Sequence, residues 1–345
     1  MLTFIIYRLE LRNYSMPQRQ KWIAITTLLL ILGLPVFAFS QTWPGFIEKM
    51  KEEGKQAGIS QKTLNLALDH LQAPNPIVKT QSTHQPEQTI TYPQYIKSRA
   101  DNARIQMGIK EFKHNQKTLQ KIQKQYGVNA CVLTAIWGLE SSYGNDQGKF
   151  PVIQSLATLG FQSSRKDFYQ KELLIALKMV DDKQISLSQF KGAWAGASGQ
   201  PQFMPSSWET YAIDFNGDGR KDIWTNTSDA LASAANFLKQ NGWKSNQPIM
   251  IPVTLPQNFN KNLINKKTSQ PVAHWLKLGI AFQDSQRINK TLPAYIAQPD
   301  GGPTFMVFTN FTVIKHWNNS IYFVGAVNTM AKAICSKNHM DITSS

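Results

Sequence analysis

By residue type and spacing, Glu140 is the side chain of this sequence best placed to move a proton. Asn129 carries an N-cap side chain, and a helix is expected from there to about residue 142, with Gly144 just past its end. On that helix Val132, Leu133, Ile136 and Leu139 form one apolar stripe. Glu140 follows Ile136 by four residues and Leu133 by seven, so it projects from the stripe's edge. A carboxylate held against apolar walls has its charged form desolvated, which raises its pKa and keeps the proton on it near neutrality. Such a group can protonate a departing glycosidic oxygen. The competing use is structural, in an ion pair or at a helix end, and periodicity alone does not choose between the two.

Residues 192–208 (Gly-Ala-Trp-Ala-Gly-Ala-Ser-Gly-Gln-Pro-Gln-Phe-Met-Pro-Ser-Ser-Trp) place three glycines and two prolines around two glutamines. Glycine lets the backbone take positive φ and approach a ligand closely. The amides of Gln200 and Gln202 can donate to and accept from sugar hydroxyls and acetamido groups. Trp194, Phe203 and Trp208 offer faces for sugar rings. Ser206 to Glu209 spells a capping box, so these two residues are expected to punctuate a helix rather than to catalyse.

A third constellation follows at residues 214–222. Asp214, Asn216, Asp218 and Asp222 occupy positions 1, 3, 5 and 9 of an EF-hand-like loop, with Gly219 at 6 and the Arg220 carbonyl at 7. Position 12 is Thr225 instead of the bidentate glutamate, which excludes the standard loop. The alternatives are a bound cation, with Ca2+ expected and structural in role, and a tight hydrogen-bonded turn without metal.

The elements that must hold these residues are mostly helical. Helical spacing runs through residues 42–73, where Pro74 and Pro76 end it, and again from 95 to 126. Residues 74–94 read as a polar, proline-containing linker. Residues 248–310 mix prolines with short β-favouring runs, and a last helix is expected at about 322–336. The fold class is therefore mainly α (α+β). The expected division is a leader at 1–40, an N-terminal helical part at 41–126, a catalytic core at 127–243, a C-terminal part at 244–336 and a tail at 337–345.

A composition of 42% apolar and 17% charged residues in 345 is that of a globular chain with a sizeable core. Arg19 and Lys21 precede an apolar run at 22–39 that ends Ala38-Phe39-Ser40, the order of a secretory signal peptide. An uncleaved anchor is the alternative, so membrane contact is expected only through this segment and the location is periplasmic. Without the leader's net +3, the formal charge falls from +15 to +12. That favours an anionic polymer. No block of like charges or arginine-rich arm points to nucleic acid, and an exported chain meets cell-wall polymer first. Two cysteines, Cys131 and Cys335, exclude a disulfide scaffold; separate buried thiols are the simpler expectation, and a bridge requires that the two meet in space.

Taken together, Ala135-Ile136-Trp137-Gly138-Leu139-Glu140-Ser141-Ser142-Tyr143-Gly144, residues 192–208 and Tyr211-Ala212-Ile213-Asp214-Phe215-Asn216-Gly217-Asp218-Gly219 resemble the lytic murein transglycosylase B family in order and spacing. The likeness continues through 229–243 and 310–331 and covers roughly residues 43–334. It implies a lysozyme-like core embedded in a larger helical domain with a small β part, acting as a monomer on peptidoglycan glycan strands. Carried over by position, Glu140 is the catalytic glutamate. Gln202, Phe203 and Asn318 line the sugar cleft, and Arg165 and Lys166 lie near the muropeptide's acidic groups. The cation loop is closed by Asp229. Trp317 and Phe237 stand where some relatives have tyrosine, so ring faces remain while hydroxyl contacts are lost. The implied reaction cleaves the β-1,4 bond between N-acetylmuramic acid and N-acetylglucosamine without water, leaving a 1,6-anhydro end. A water-adding muramidase would need a second carboxylate, for which Asp146 is nearest in sequence although its turn setting suits a backbone role. A noncatalytic wall-binding scaffold would leave Glu140 without a purpose.

Overall fold

A computed structural model describes residues 42–81, 90–283 and 288–338. The expected leader, part of the proline linker and nearly all of the tail lie outside them. Among the described residues no helix is long and apolar enough to cross a membrane.

Where the sequence shows one long helical pattern, the chain breaks it at polar caps. The first pattern becomes α1 (Trp43–Gln56) and α2 (Gln61–Leu68), with the Ser60 hydroxyl accepting from the Thr63 amide. A short α3 (Pro76–Gln81) lies in the proline linker. The second becomes α4 (Tyr92–Arg99), α5 (Asn102–His114) and α6 (Gln116–Tyr126), and the Asp101 carboxylate caps α5 by accepting from the Arg104 amide. Then come α7 (Ala130–Ser141), α8 (Val152–Gln162), α9 (Lys166–Asp181), α10 (Pro205–Tyr211) and α11 (Thr227–Gln240). The last helices are α12 (Val272–Lys277), α13 (Thr309–Trp317) and α14 (Ile321–Lys337).

A two-stranded ribbon joins β1 (Phe150–Pro151) to β2 (Lys191–Gly192). The β-favouring region forms one antiparallel sheet of β3 (Met250–Thr254), β4 (Gln270–Pro271), β5 (Ala281–Phe282), β6 (Pro293–Ala297) and β7 (Phe305–Val307), in the order β4-β6-β7-β3-β5. The mainly α class with minor β structure is what the periodicities predict.

The cores do not follow the expected boundaries at 126 and 243. One core gathers Phe46, Met50, Leu64 and Leu68 with Leu156, Leu173, Leu177 and Phe190, so α1–α3 pack with α8 and α9 across an intervening stretch of chain. The largest core runs from Tyr92 through α7 and α11 to Cys335. A third lies under the sheet. Apolar burial at about 25 cal/mol per Å² explains why α1 and α2, too short to hold themselves, stay helical.

In the largest core α7 lies against α14, and the two are joined covalently. Cys131 and Cys335 form a disulfide, with Cα atoms 5.6 Å apart. The expectation of separate thiols is thereby corrected: 204 residues of separation hide a contact that helix packing creates. The Ser206–Glu209 capping box is also corrected. Pro205 takes the first helical position of α10, and Ser206 stands inside the first turn. The buried carboxylate of Glu172 on α9 caps the helix from a distance, accepting from the Ser206 amide at 2.9 Å and its hydroxyl at 2.5 Å.

Candidate active site

Asn129 caps α7 by accepting from the Cys131 amide at 2.9 Å, and the helix ends in the left-handed Ser142. Glu140 stands two residues before that cap, half-buried. The indole Nε1 of Trp317, the last residue of α13, donates to Glu140 Oε1 at 2.8 Å. Burial pushes the Glu140 carboxyl up to about 7, against the lowering effects of the Trp317 hydrogen bond and the Arg99 charge. Trp317 is itself wedged between Phe203 (centroids 5.3 Å apart) and Phe237 (4.9 Å). Those rings fix the indole, and through it the carboxyl rotamer. A proton donor with a pKa near neutrality is therefore held rigidly beside an aromatic wall.

The chain leaves α7 through Ser142, Tyr143 and Gly144, all at positive φ. For the two non-glycines this conformation costs about 1–2 kcal/mol each. Tyr143 holds the turn: its hydroxyl donates to the Arg104 carbonyl at 2.8 Å, and its ring packs edge-on to Trp137. Gly108 and Gly138 make room for that ring, since a Cβ at either would sit within 2.5 Å of Tyr143.

The glycine-rich segment folds back on itself beside this turn. Ser198 and Phe203 exchange both backbone hydrogen bonds at 2.9 Å. Gln202, at φ 50°, donates its side-chain amide to the carbonyls of Gln147 (3.0 Å) and Gly199 (2.9 Å). Its N–H groups thus tie the segment to the loop after Glu140, and its carbonyl oxygen is what it can offer a ligand. Gly148 is needed where those loops meet, because a Cβ there would lie 2.2 Å from the Gly192 carbonyl.

Trp317 thus meets Glu140 directly, the buried rings of Phe203 and Phe237 back it from behind, and Asn318, the C-cap of α13, follows Trp317 in the chain. Other expected ligand residues fall elsewhere. Gln200 is only 4% exposed, and its amide donates to the Trp224 carbonyl, so it braces the loop from inside instead of facing a sugar; burial, which residue type cannot report, corrects that expectation. Trp194 packs against the core of α1, α8 and α9. Arg165 and Lys166 are exposed at the start of α9, where the Arg165 guanidinium lies 4.3 Å from the Phe168 ring centre. Asp146 is exposed and accepts from the Gly148 amide, a turn role. Sequence reasoning missed Arg99 and Gln147, whose roles arise only across the fold and leave no local signal.

A family described as the transglycosylase SLT domain matches residues 42–332. The chain belongs to that family. The membrane-bound lytic murein transglycosylase B of Escherichia coli is 30% identical over 239 residues, 67% of this chain; the match spans 63% of that relative's length. SltB3 of Pseudomonas aeruginosa, solved in complex with NAG-anhNAM-pentapeptide, superposes with a TM-score of 0.80 at 33% identity, covering 85% of this chain and 80% of that one. The Escherichia coli lytic transglycosylase Slt35, solved in complex with calcium, gives a TM-score of 0.75 at 26% identity over 88% of this chain and 96% of its own. The lysozyme-like architecture is thus shared with SLT transglycosylases.

In this family member the acidic loop between α10 and α11 brings together carboxylate oxygens of Asp214, Asp218 and Asp229, all within 4.8 Å of one another. Asp214 accepts from the amides of Gly217, Asp218 and Gly219. Asp229, fully buried, accepts from Phe215, Asn216 and Asp222. Burial first, and then the neighbouring Asp214, raise the Asp229 carboxyl despite those amides. Carboxylates converging on one point suit a hard divalent cation. Asp222 stands apart from that cluster. Burial would raise its pKa, but hydrogen bonds from the Thr225 hydroxyl and from the Thr225 and Trp224 amides hold it below the ordinary carboxylate range.

Proposed function

We propose that this chain is a peptidoglycan lytic transglycosylase that cleaves the β-1,4 bond between N-acetylmuramic acid and N-acetylglucosamine and leaves a 1,6-anhydro-muramic end. The observation that carries the reading is Glu140, a lone half-buried carboxyl of pKa about 7 at an aromatic-walled site.

Glu140 first gives its proton to the glycosidic oxygen as the C1–O bond breaks. The substrate's acetamido oxygen shields the positive C1. The Glu140 carboxylate then takes the proton of the muramic C6 hydroxyl, whose oxygen bonds to C1. The proton lost in the first step is regained in the second, and no water is consumed. Acid–base help of this kind supplies roughly 10²–10⁴-fold. The fixed indole, cleft dipoles and ring distortion provide the remainder. Trp317 offers a ring face, backed by the buried rings of Phe203 and Phe237, and the Gln202 carbonyl and Asn318 offer polar contacts.

One carboxylate suffices because the substrate supplies its own nucleophile. Among the described residues none of the groups that shift Glu140 is a second acid. Asp146, the candidate for a water-activating base, is occupied in a turn. The arrangement therefore favours the lyase over a muramidase.

Asp214, Asp218 and Asp229 would hold Ca2+, with Asn216 and the Arg220 carbonyl as further oxygens and Asp222 at the loop's far end. The ion's role would be to brace the loop, away from the chemistry. The signal-like leader and the disulfide, which persists in oxidising compartments, support a periplasmic location. Arg165 and Lys166 remain proposed contacts for acidic groups of the substrate, and Trp194 a proposed platform.

Digestion of sacculi, borohydride reduction and mass measurement of the muropeptides test the reaction. Anhydro ends that resist reduction, one water lighter than hydrolysis products, are expected. Reducible ends would mean that water attacked C1. Glu140→Gln is expected to retain glycan binding and release nothing.

A further inference from the structure

Helix α13 has a second face. Thr312, Lys315 and His316 on this helix, with Tyr295 of β6 and Lys267 across from them, line a cavity of about 670 Å³. Lys315 is half-buried, and among the described residues no carboxylate lies within ion-pair distance of its ammonium. That ammonium sits 5.9 Å from the Phe311 ring centre. Burial, and then the charge of Lys267, lower its pKa below the usual lysine range. Two cations facing one cavity with no acid between them leave a site that an anion completes.

A second cavity, of about 620 Å³, shares Lys315 and Asn319 with the first and reaches Asn318, the residue after Trp317. Lys315 thus stands on the same helix as Trp317, the residue that meets Glu140, and two positions before it. A glycan whose lactyl groups are amidated by peptide keeps its free carboxylates on that peptide. The apolar surface of Pro293 and Tyr295 beside the lysines suits short aliphatic side chains.

We propose that the Lys267–Lys315 cavity receives a carboxylate of the peptide stem borne by the strand that Glu140 cleaves. The proposal rests on the peptidoglycan reading above. It assigns stem recognition to the seam between α13 and the sheet, apart from Arg165 and Lys166 on α9.

The test compares two ligands, a disaccharide-pentapeptide and the same disaccharide stripped of peptide, binding to the full chain carrying Glu140→Gln to prevent turnover. The peptide-bearing ligand is expected to bind about five- to tenfold tighter, in keeping with a partly desolvated charge pair. Adding Lys315→Met should bring that ratio toward one. Lys267→Met, at an exposed position, should lower it in the same direction and guards against misfolding of the more buried variant. Amidation of the peptide carboxylates should mimic both. A ratio untouched by either lysine substitution overturns the proposal, as does equal weakening of both ligands. A chain that binds neither ligand fails at the substrate reading itself, whereas a lysine-independent ratio fails only here.

Discussion

With its carboxyl pushed up to about 7, Glu140 is roughly half protonated at neutral pH. On the proposed mechanism the lytic rate should fall as pH rises through that value, because there the acid form begins the reaction. Folding stability should follow the same direction. Below the ordinary glutamate pKa both folded and unfolded chains hold the proton and nothing is lost. Between that value and 7 the unfolded chain releases the proton first, and above 7 the native state carries the full penalty, on the order of 3 kcal/mol. Glu140→Gln should thus raise the melting temperature at pH 8.5 and leave it unchanged at pH 4. An equal effect at both values would refute the burial account. Trp317 is a positioning residue, and Trp317→Phe keeps its ring contacts while removing the donor. The basic limb of the pH–rate profile should then move up by roughly half to one unit, with kcat falling severalfold and KM little changed. A kcat loss with an unmoved limb would reduce Trp317 to a packing role. Glu140 was legible because a charge on an apolar helical stripe is a local signal. Its contact with Trp317 was not, since the two are 177 residues apart. Gln200 was misplaced for a related reason: an amide looks the same in sequence whether it faces a sugar or the Trp224 carbonyl.

At the scale of elements, periodicity gave the helical stretches before residue 127 and the last helix, and Asn129 gave the start of α7, whereas α8, α9, α12 and α13 carried no pattern that was read. Breaks inside the long patterns lie at caps that were not read, Ser60 and Asp101; α7 closes at the left-handed Ser142, ahead of Gly144, and at 206 a remote acid, Glu172, replaces the local glutamate. The pairing of α7 with α14 was invisible, because neither helix encodes its neighbour. The disulfide that fastens them should matter in proportion to the loop it closes. By the chain-entropy argument, replacing both cysteines with alanine should cost about 3–5 kcal/mol, seen as a melting temperature lower by several degrees. Activity at low temperature should survive, since neither sulfur touches the site. A melting curve unmoved by the double substitution would show that packing alone joins the helices.

Across the whole molecule, Trp208 and Trp224 each touch both of the two largest cores. The acidic loop lies between these tryptophans in sequence, and the Trp208 indole donates to the Lys221 carbonyl at 3.1 Å. A cation in that loop would steady the junction of the cores. Calcium at a hundredfold excess over its Kd should stabilise the fold by about 2.7 kcal/mol. Chelator should lower the melting temperature, and Asp214→Ala should abolish the difference. Superimposable curves with and without calcium would leave the loop as a plain turn.

The bridge between Cys131 and Cys335 also sets an order of events during biosynthesis. The first sulfur leaves the ribosome 204 residues ahead of its partner, a delay of roughly 10–40 s at ordinary elongation rates. Throughout that interval it is a solitary thiol. Because the sequence holds only these two cysteines, no incorrect bridge can form within one chain. Any premature bridge between protein cysteines must join two different chains. A covalent dimer on a non-reducing gel would therefore be the signature of a chain oxidised before its synthesis was finished.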